Sequence, residues 1–290
     1  MPSEFLANIK PIFICLTLFF SVHVFAQQSV SNAVQITNEF DHEADKIIFY
    51  ADNKDFCDYV VFFRFGSESV LKTVQPGKSE LSRVKSPGIS YSAYQFAMYR
   101  GNIDKKPDID FAYCLPIAKG NSSIMSANVL SDGYQMGFTF HSDTIYASRG
   151  GIVCNDELTD FTAKGYQHFS DSRIFNKITI YHNDGTFGEY IFVGQPLVSP
   201  GNRVAMGQPI AVLGNNRLNN VSFSVYFLDK KKVNNRSTGN KHSHFRPFFQ
   251  TNNEGKVRLE EEKIYYCELN NEMLMQDMSK RQRNNFLKNK

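Results

Sequence analysis

No two cysteines of this 290-residue chain stand at a C-x-x-C spacing, so neither a zinc knuckle nor a thioredoxin-type redox pair is indicated. A surplus of charge is missing too. The formal net charge is +3, too small to imply a nucleic-acid partner, and the basic residues gather at Lys230–Lys232 and Lys280–Lys290 instead of along an aromatic platform. They read as solvated loop and tail. There is no G-x-S-x-G, which removes the nucleophile elbow of serine hydrolases. Beyond the N-terminus no apolar run is long enough to span a bilayer.

At the N-terminus Lys10 precedes the uncharged stretch PIFICLTLFFSVHVFA, ending in Val-Phe-Ala at Ala26. This pattern predicts a secretory signal peptide over residues 1–26, cleaved after Ala26, and an exported protein of the periplasm, cell envelope or exterior. The alternative is an uncleaved anchor, which the run is too short to favour, because a spanning helix needs ~20 apolar residues. With Cys15 removed, Cys57, Cys114, Cys154 and Cys267 remain, an even number in a compartment that permits disulfides. Three pairings exist. Cys57–Cys114 and Cys154–Cys267 are the expected ones, each within a domain, with buried free thiols as the alternative.

The chain as a whole reads as all-β. From Val30 to about Pro116 come short alternating segments such as KIIFYADN, YVVFFRF and YSAYQFAMYRG, separated by Gly, Pro and Asn. They predict an antiparallel β-sandwich-like accessory domain over residues 27–120. The Pro-, Gly- and Ser-rich stretch Pro116–Ser123 is the candidate boundary. A second antiparallel β domain is expected over residues 121–267. Within it NKITIYHNDGTFGEYIFVG predicts a hairpin with Ile178 and Ile180 on one face and Asp184-Gly185 in a two-residue type I′ turn. NNVSFSVYFLD predicts a strand that alternates Val221, Phe223, Val225 and Phe227 against Ser222, Ser224 and Tyr226. Val198, Gly201, Val204, Gly207 and Ile210 recur at every third position, which suits tight turns and bulges that tuck Val204 and Ile210 into a core. KKKVNNRSTGNKHSH is expected to be a mobile surface loop, and residues 268–290 a polar, basic, frayed tail.

Taken together, IYASRGGIV, the His-x-Asp-Gly hairpin, VSPGNRVAMGQPIAVLG and VSFSVYF occur in an order that resembles the M23 (LytM or lysostaphin-like) zinc metallo-endopeptidases, over about Tyr134 to Phe227. Biotinyl and lipoyl carrier domains share the glycine rhythm. They need an exposed lysine on a hairpin, and none lies between Lys177 and Lys230. The resemblance implies cleavage of peptidoglycan crosslinks by a zinc held through an H-x-x-x-D motif and the second histidine of an H-x-H strand, with two further histidines assisting.

Those positions are changed in this chain. The H-x-H position falls on Ser222 and Ser224, and serine lacks the imidazole nitrogen or carboxylate that zinc prefers. The histidine two residues after the hairpin tyrosine, Tyr190, is Phe192, which cannot move a proton. No H-x-x-x-D precedes IYASRGGIV; His141 and Asp143 are two apart. No catalytic set is intact. The candidate groove is Tyr190, Phe192, Ser222, Ser224 and Tyr226, and His182 is expected to pack or hydrogen-bond beside its turn. His168 reads as a surface residue. The resemblance with these replacements implies a catalytically inactive M23-like protein that needs no cofactor, binds peptidoglycan or an envelope protein partner and regulates a hydrolase. The alternative is an active zinc endopeptidase with a rearranged site drawn from His141, Asp143, His242 and His244. A structural or adhesive envelope protein is a third reading.

Overall fold

The computed structural model describes residues 33–85, 94–127, 134–139, 142–155, 177–191, 193–213, 220–234 and 239–288. The expected signal peptide, His141, His168 and Phe192 lie outside them. Among the described residues no helix is long and apolar enough to cross a membrane.

The first described strands, β1 (Val34–Asp41) and β2 (Lys46–Asn53), form a hairpin in unbroken register from Val34↔Asn53 to Asp41↔Lys46. Asp41 Oδ1 accepts from the amides of Glu43 and Ala44 at its turn, the local bonding for which Asp is favoured there. β3 (Tyr59–Phe65), β4 (Glu68–Val74), β5 (Gly77–Lys85) and β6 (Tyr94–Arg100) complete two antiparallel three-stranded sheets, ordered β1-β2-β5 and β4-β3-β6. Alternation along β3 decides how they meet. Tyr59, Val61 and Phe63 point into a core with Phe49, Leu81 and Val84, where the Phe49 and Phe63 rings approach to 4.7 Å. Val60, on the other face of β3, packs with Leu228 and Val233.

Downstream come β7 (Ala112–Tyr113), β8 (Ser122–Ala127), β9 (Met136–Thr139), β10 (Thr144–Tyr146), β11 (Gly151–Val153), β12 (Lys177–Tyr181) and β13 (Thr186–Ile191). β14 (Val193–Pro196), β15 (Arg203–Val204), β16 (Pro209–Leu213) and β17 (Asn220–Leu228) follow. The remaining elements are α1 (Lys230–Asn234), β18 (His242–Phe245), β19 (Phe248–Thr251), β20 (Gly255–Val257), β21 (Ile264–Tyr266), α2 (Asn271–Met275) and α3 (Lys280–Lys288). A nine-stranded sheet runs β15-β11-β12-β13-β17-β9-β8-β21, with β18 also paired to β17. Two further three-stranded sheets, β10-β16-β14 and β20-β19-β7, flank it in the pairing scheme. The architecture is mostly β, built from several antiparallel sheets, and β19 beside β7 is a parallel pair. Val204 and Ile210 are buried in the core of the large sheet, as their spacing predicts, and Phe111, Tyr113, Cys114, Leu115 and Ile117 lie in the same core.

Four expectations are corrected. The turn of the β12–β13 hairpin is not type I′: Gly185 takes φ 88°, while among the described residues the non-glycine residues at positive φ are Asp45 and Glu262, so Asp184 stays at negative φ. Gly185 N donates to His182 O and His182 N to Thr186 O, the pattern of a three-residue loop whose single left-handed position glycine fills. The basic stretch after Asp229 is ordered at both ends. Asp229 Oδ1 accepts from Lys231 N at the start of α1, and His242 to Phe245 form β18 against β17.

The tail is docked through Asp277. Asn270 caps α2 by accepting from Met273 N, Met273 is buried, and the Gln276 side chain bonds both N and O of Ala112. Finally, neither Cys57–Cys114 nor Cys154–Cys267 is formed, and all four cysteines are buried thiols. Cys57 and Cys154 share the core of the N-terminal sheets, whereas Cys114 and Cys267 share the core of the large sheet. The chain order misled because Cys154 leaves β11 toward the first core while residues 111–117 run through the second.

Candidate functional site

In an antiparallel pair, directly opposed residues project from the same face. Ser222 opposes Ile191, Ser224 opposes Glu189 and Tyr226 opposes Phe187, so one face of the sheet carries both serines, Tyr226 and Glu189. The β12 register adds Lys177, Thr179 and Tyr181, and β18 adds His244 opposite Tyr226. The reverse face carries Val221, Phe223 and Val225 with Tyr190, Ile178 and Ile180. Tyr190 therefore does not join the candidate groove. It is fully buried against Phe223 at 4.8 Å, its hydroxyl accepts from Ser148 N at 2.7 Å, and burial pushes its phenol pKa up. Phe192 lies outside the described residues.

The serine face is filled. Ser222 and Ser224 are 1% and 2% exposed. Ser222 Oγ donates to Gln135 Oε1 at 3.4 Å, while the hydroxyls of Ser224 and Thr179 are buried without a hydrogen-bond partner among the described residues. Lys177 and Glu189 form an ion pair at 2.9 Å, each side chain under a fifth exposed. Toward Tyr226 the N-terminal sheets cover the face. Tyr181, Phe187 and Tyr226 belong to the core of Tyr59 and Phe63, and Tyr181 OH donates to Asp58 Oδ2 at 2.7 Å.

His242 and His244 are on a strand, not in a loop, and lie beside the serine strand instead of far beyond it. His242 is committed elsewhere. Burial pushes its pKa down to about 4, and the neutral ring donates through Nε2 to the carbonyl of Arg100 at 2.8 Å. Its ring also meets Tyr226 edge-on at 5.2 Å. His244 packs against Tyr226 at 5.2 Å and stacks with Tyr134 at 6.2 Å. Asp143 opens the separate β10-β16-β14 sheet, where its carboxylate accepts from Thr144 Oγ1 and its carbonyl from Leu213 N.

Zinc does not fit this face. Among the described residues its two central positions offer hydroxyls, His242 Nε2 already serves a backbone carbonyl, and the His244 ring packs against Tyr226 and Tyr134. Among the described residues the trio of metal-ligating types that converges is Asp55, Cys57 and Cys154, whose ligand atoms lie within 4.8 Å of one another. It has no histidine, and Arg100 Nη2 donates to Asp55 Oδ2 at 2.6 Å. A divalent cation there would stand against a guanidinium in a buried site, so this trio does not fit zinc either.

Beside the hairpin turn lies a cluster that spacing did not reveal. Arg149 is 2% exposed and donates through Nη1 to Asp184 Oδ2 (2.9 Å) and through Nε and Nη2 to Asp277 (3.0 and 2.7 Å), with its guanidinium 3.6 Å over the Phe111 ring. Asp184 thus does more than shape a turn: it also accepts from Asp108 N and from Thr186 N and Oγ1. His182 is buried with Nδ1 2.8 Å from Gly150 O; burial, then the Arg149 charge, pushes its pKa down to about 3. Only Asp184-Gly185 was visible as a signal, because Arg149 and Asp277 lie 35 and 93 residues from that turn.

No family model and no curated protein matches the chain. Solved structures give a distant, partial structural similarity to several M23 peptidases. Pseudoalterin, described as a novel M23 metalloprotease from the deep sea, shares 13% identity over 55% of this chain and 96% of its own, with a TM-score of 0.31. Csd3 of Helicobacter pylori shares 12% over 74% of this chain and 79% of its own, at 0.28. A zinc-containing peptidase of Vibrio cholerae shares 16% over 62% of this chain and 52% of its own, at 0.26. A likeness this remote assigns no activity, substrate or metal to this chain.

Proposed function

We propose that this chain is an M23-like protein that has given up zinc catalysis and works by binding, with peptidoglycan or a protein of the cell envelope as its partner and control of a hydrolase as its role. The observation that carries the loss of catalysis is the filled serine face. Ser222 and Ser224 are buried where the resemblance calls for two imidazoles, and the charged pair beside them, Lys177–Glu189, is internally neutralised. Among the described residues no hydrogen bond joins either serine to an imidazole, and His242 is held by the Arg100 carbonyl. The binding role and the exported location come from the sequence: the leader over residues 1–26 and the M23-like framework.

The rearranged zinc endopeptidase is disfavoured by the same geometry. His242 would have to leave the Arg100 carbonyl, and Asp143 stands just before β10, a strand of a different sheet.

The test is incubation of the tag-free mature chain with purified sacculi, with and without added zinc. The expected result is co-sedimentation with the sacculi, or failing that capture of an envelope protein, with no soluble muropeptide released. Muropeptide release that stops on chelation would refute the proposal and restore the enzyme.

A further inference from the structure

We propose that Cys57 and Cys154 are a disulfide-forming pair that joins the turn after β2 to the segment after β11. Their Sγ atoms lie within 4.8 Å of each other and of an Asp55 carboxylate oxygen. Both cysteines are buried in the same core.

The surroundings hold the two segments together independently of the sulfurs. On one side Cys57 O accepts from Asn53 Nδ2 at 2.9 Å, and Asn53 Oδ1 takes the amide of Asp55 at 3.1 Å. On the other, Cys154 N donates to Thr179 O at 2.9 Å. Asp55 and Arg100 then bridge the gap: Asp55 Oδ1 accepts from Asn155 N at 2.7 Å and Arg100 Nη2 donates to Asn155 O at 3.2 Å. The residue next to Cys154 is therefore clamped by the residue two before Cys57. A bond between the sulfurs needs little backbone movement, which is what a stable disulfide requires.

A metal is the competing use of this trio. Asp55 Oδ2 is already taken by Arg100 Nε and Nη2, Tyr59 OH and the Cys57 thiol. Arg100 neutralises the carboxylate that a cation would need.

The step is thiol–disulfide exchange with a small-molecule disulfide. The two thiols lose two protons and two electrons, one S–S bond forms between Cys57 and Cys154, and the oxidant's S–S bond is cleaved to two thiols. Burial, then the neighbouring Cys154 thiol, pushes the Cys57 pKa up, so little thiolate exists in the folded state. Formation belongs to folding, before the N-terminal sheets close over the sulfurs, and the finished bond resists small reductants. Cys114 and Cys267 lie in the other core, where their thiols donate to Ala147 O at 3.3 Å and Leu115 O at 3.7 Å.

The experiment refolds the mature chain with oxidised glutathione, alkylates it under denaturing conditions and maps its peptides without reduction. The expected result is a linked peptide pair containing Cys57 and Cys154, and an intact mass lower by two hydrogens in the Cys114→Ser, Cys267→Ser double variant. Four alkylated cysteines in the unaltered chain, or a bond from Cys57 or Cys154 to any other cysteine, would overturn the proposal. Stoichiometric zinc that shields both thiols from alkylation would overturn it as well. The unaltered chain decides the matter if the double variant does not fold.

Discussion

Replacing Arg149 by Met keeps an unbranched apolar stem but removes the cation between Asp184 and Asp277, which are 12% and 25% exposed. Stranding one side of a buried ion pair costs about 3–5 kcal/mol. Because Asp277 keeps partial access to water, the lower end applies, and loss of the cation–π contact with Phe111 adds on the order of 0.5–1 kcal/mol. A total of about 3–4 kcal/mol corresponds to a fall in Tm of roughly 6–16 °C for a chain of this size. The pH dependence separates charge from packing. Burial would raise the Asp184 pKa, but the Arg149 charge and the bonds from Asp108 and Thr186 outweigh it and hold the carboxyl below its usual range. A depressed carboxylate stabilises above its unfolded pKa of about 3.9, and that stability is lost as pH falls through the folded value. Thermal unfolding followed by circular dichroism should therefore show the largest gap between wild type and Arg149→Met near neutral pH and a narrowing gap below about pH 4. A gap under about 1 kcal/mol at pH 7, or one that does not narrow in acid, would refute the assignment of this cluster as an electrostatic clamp.

Other outcomes can be checked with the same protein. The His182 pKa of about 3 lies below an unfolded value near 6.5, so the unfolded state takes up the proton first; stability falls as pH drops from about 6.5 toward 3, and the His182 ring signals in NMR stay flat above about pH 4. Titration of that ring near pH 6 would contradict the burial argument. Gly151→Ala would drive a Cβ into the Tyr181 carbonyl and within 2.7 Å of Ile180 Cγ2, with a cost of at least about 1–3 kcal/mol in urea unfolding; an unchanged midpoint would show that β11 and β12 can separate freely. Ser224→Ala removes a buried hydroxyl that has no partner among the described residues, so it should leave Tm unchanged or raise it, and a loss above about 1 kcal/mol would mean that the hydroxyl is bonded.

Much of the sheet architecture was legible. Alternation in VSFSVYF marked β17 and its apolar face, because the side-chain period of a strand is two, whereas the nearly all-apolar YVVFFRF marked β3 without telling its faces apart. The every-third-residue pattern put Val204 and Ile210 in the core correctly. The turn was half legible: Gly185 has positive φ, but the type depends on whether Asp184 shares it, and the two hairpin loops differ by a single residue that composition does not count. The basic stretch read as a loop because charge masks strand propensity. His242 to Phe245 become a strand only by pairing with β17. The tail read as frayed because its apolar residues are sparse, and a single buried Met273 with the Asp277–Arg149 pair is enough to anchor it.

By itself the amino-acid order determined most of the strands and the alternation of Ser222 and Ser224 against Val221, Phe223 and Val225, since these depend on neighbours two to four residues away. Only the tertiary structure decided that Tyr190 turns from the serines, that Tyr181, Phe187 and Tyr226 pack into the N-terminal core, and that Cys57 meets Cys154 across 97 residues of chain. Such meetings are set by which sheets bury against each other, a free energy summed over whole faces, and no local spacing encodes it.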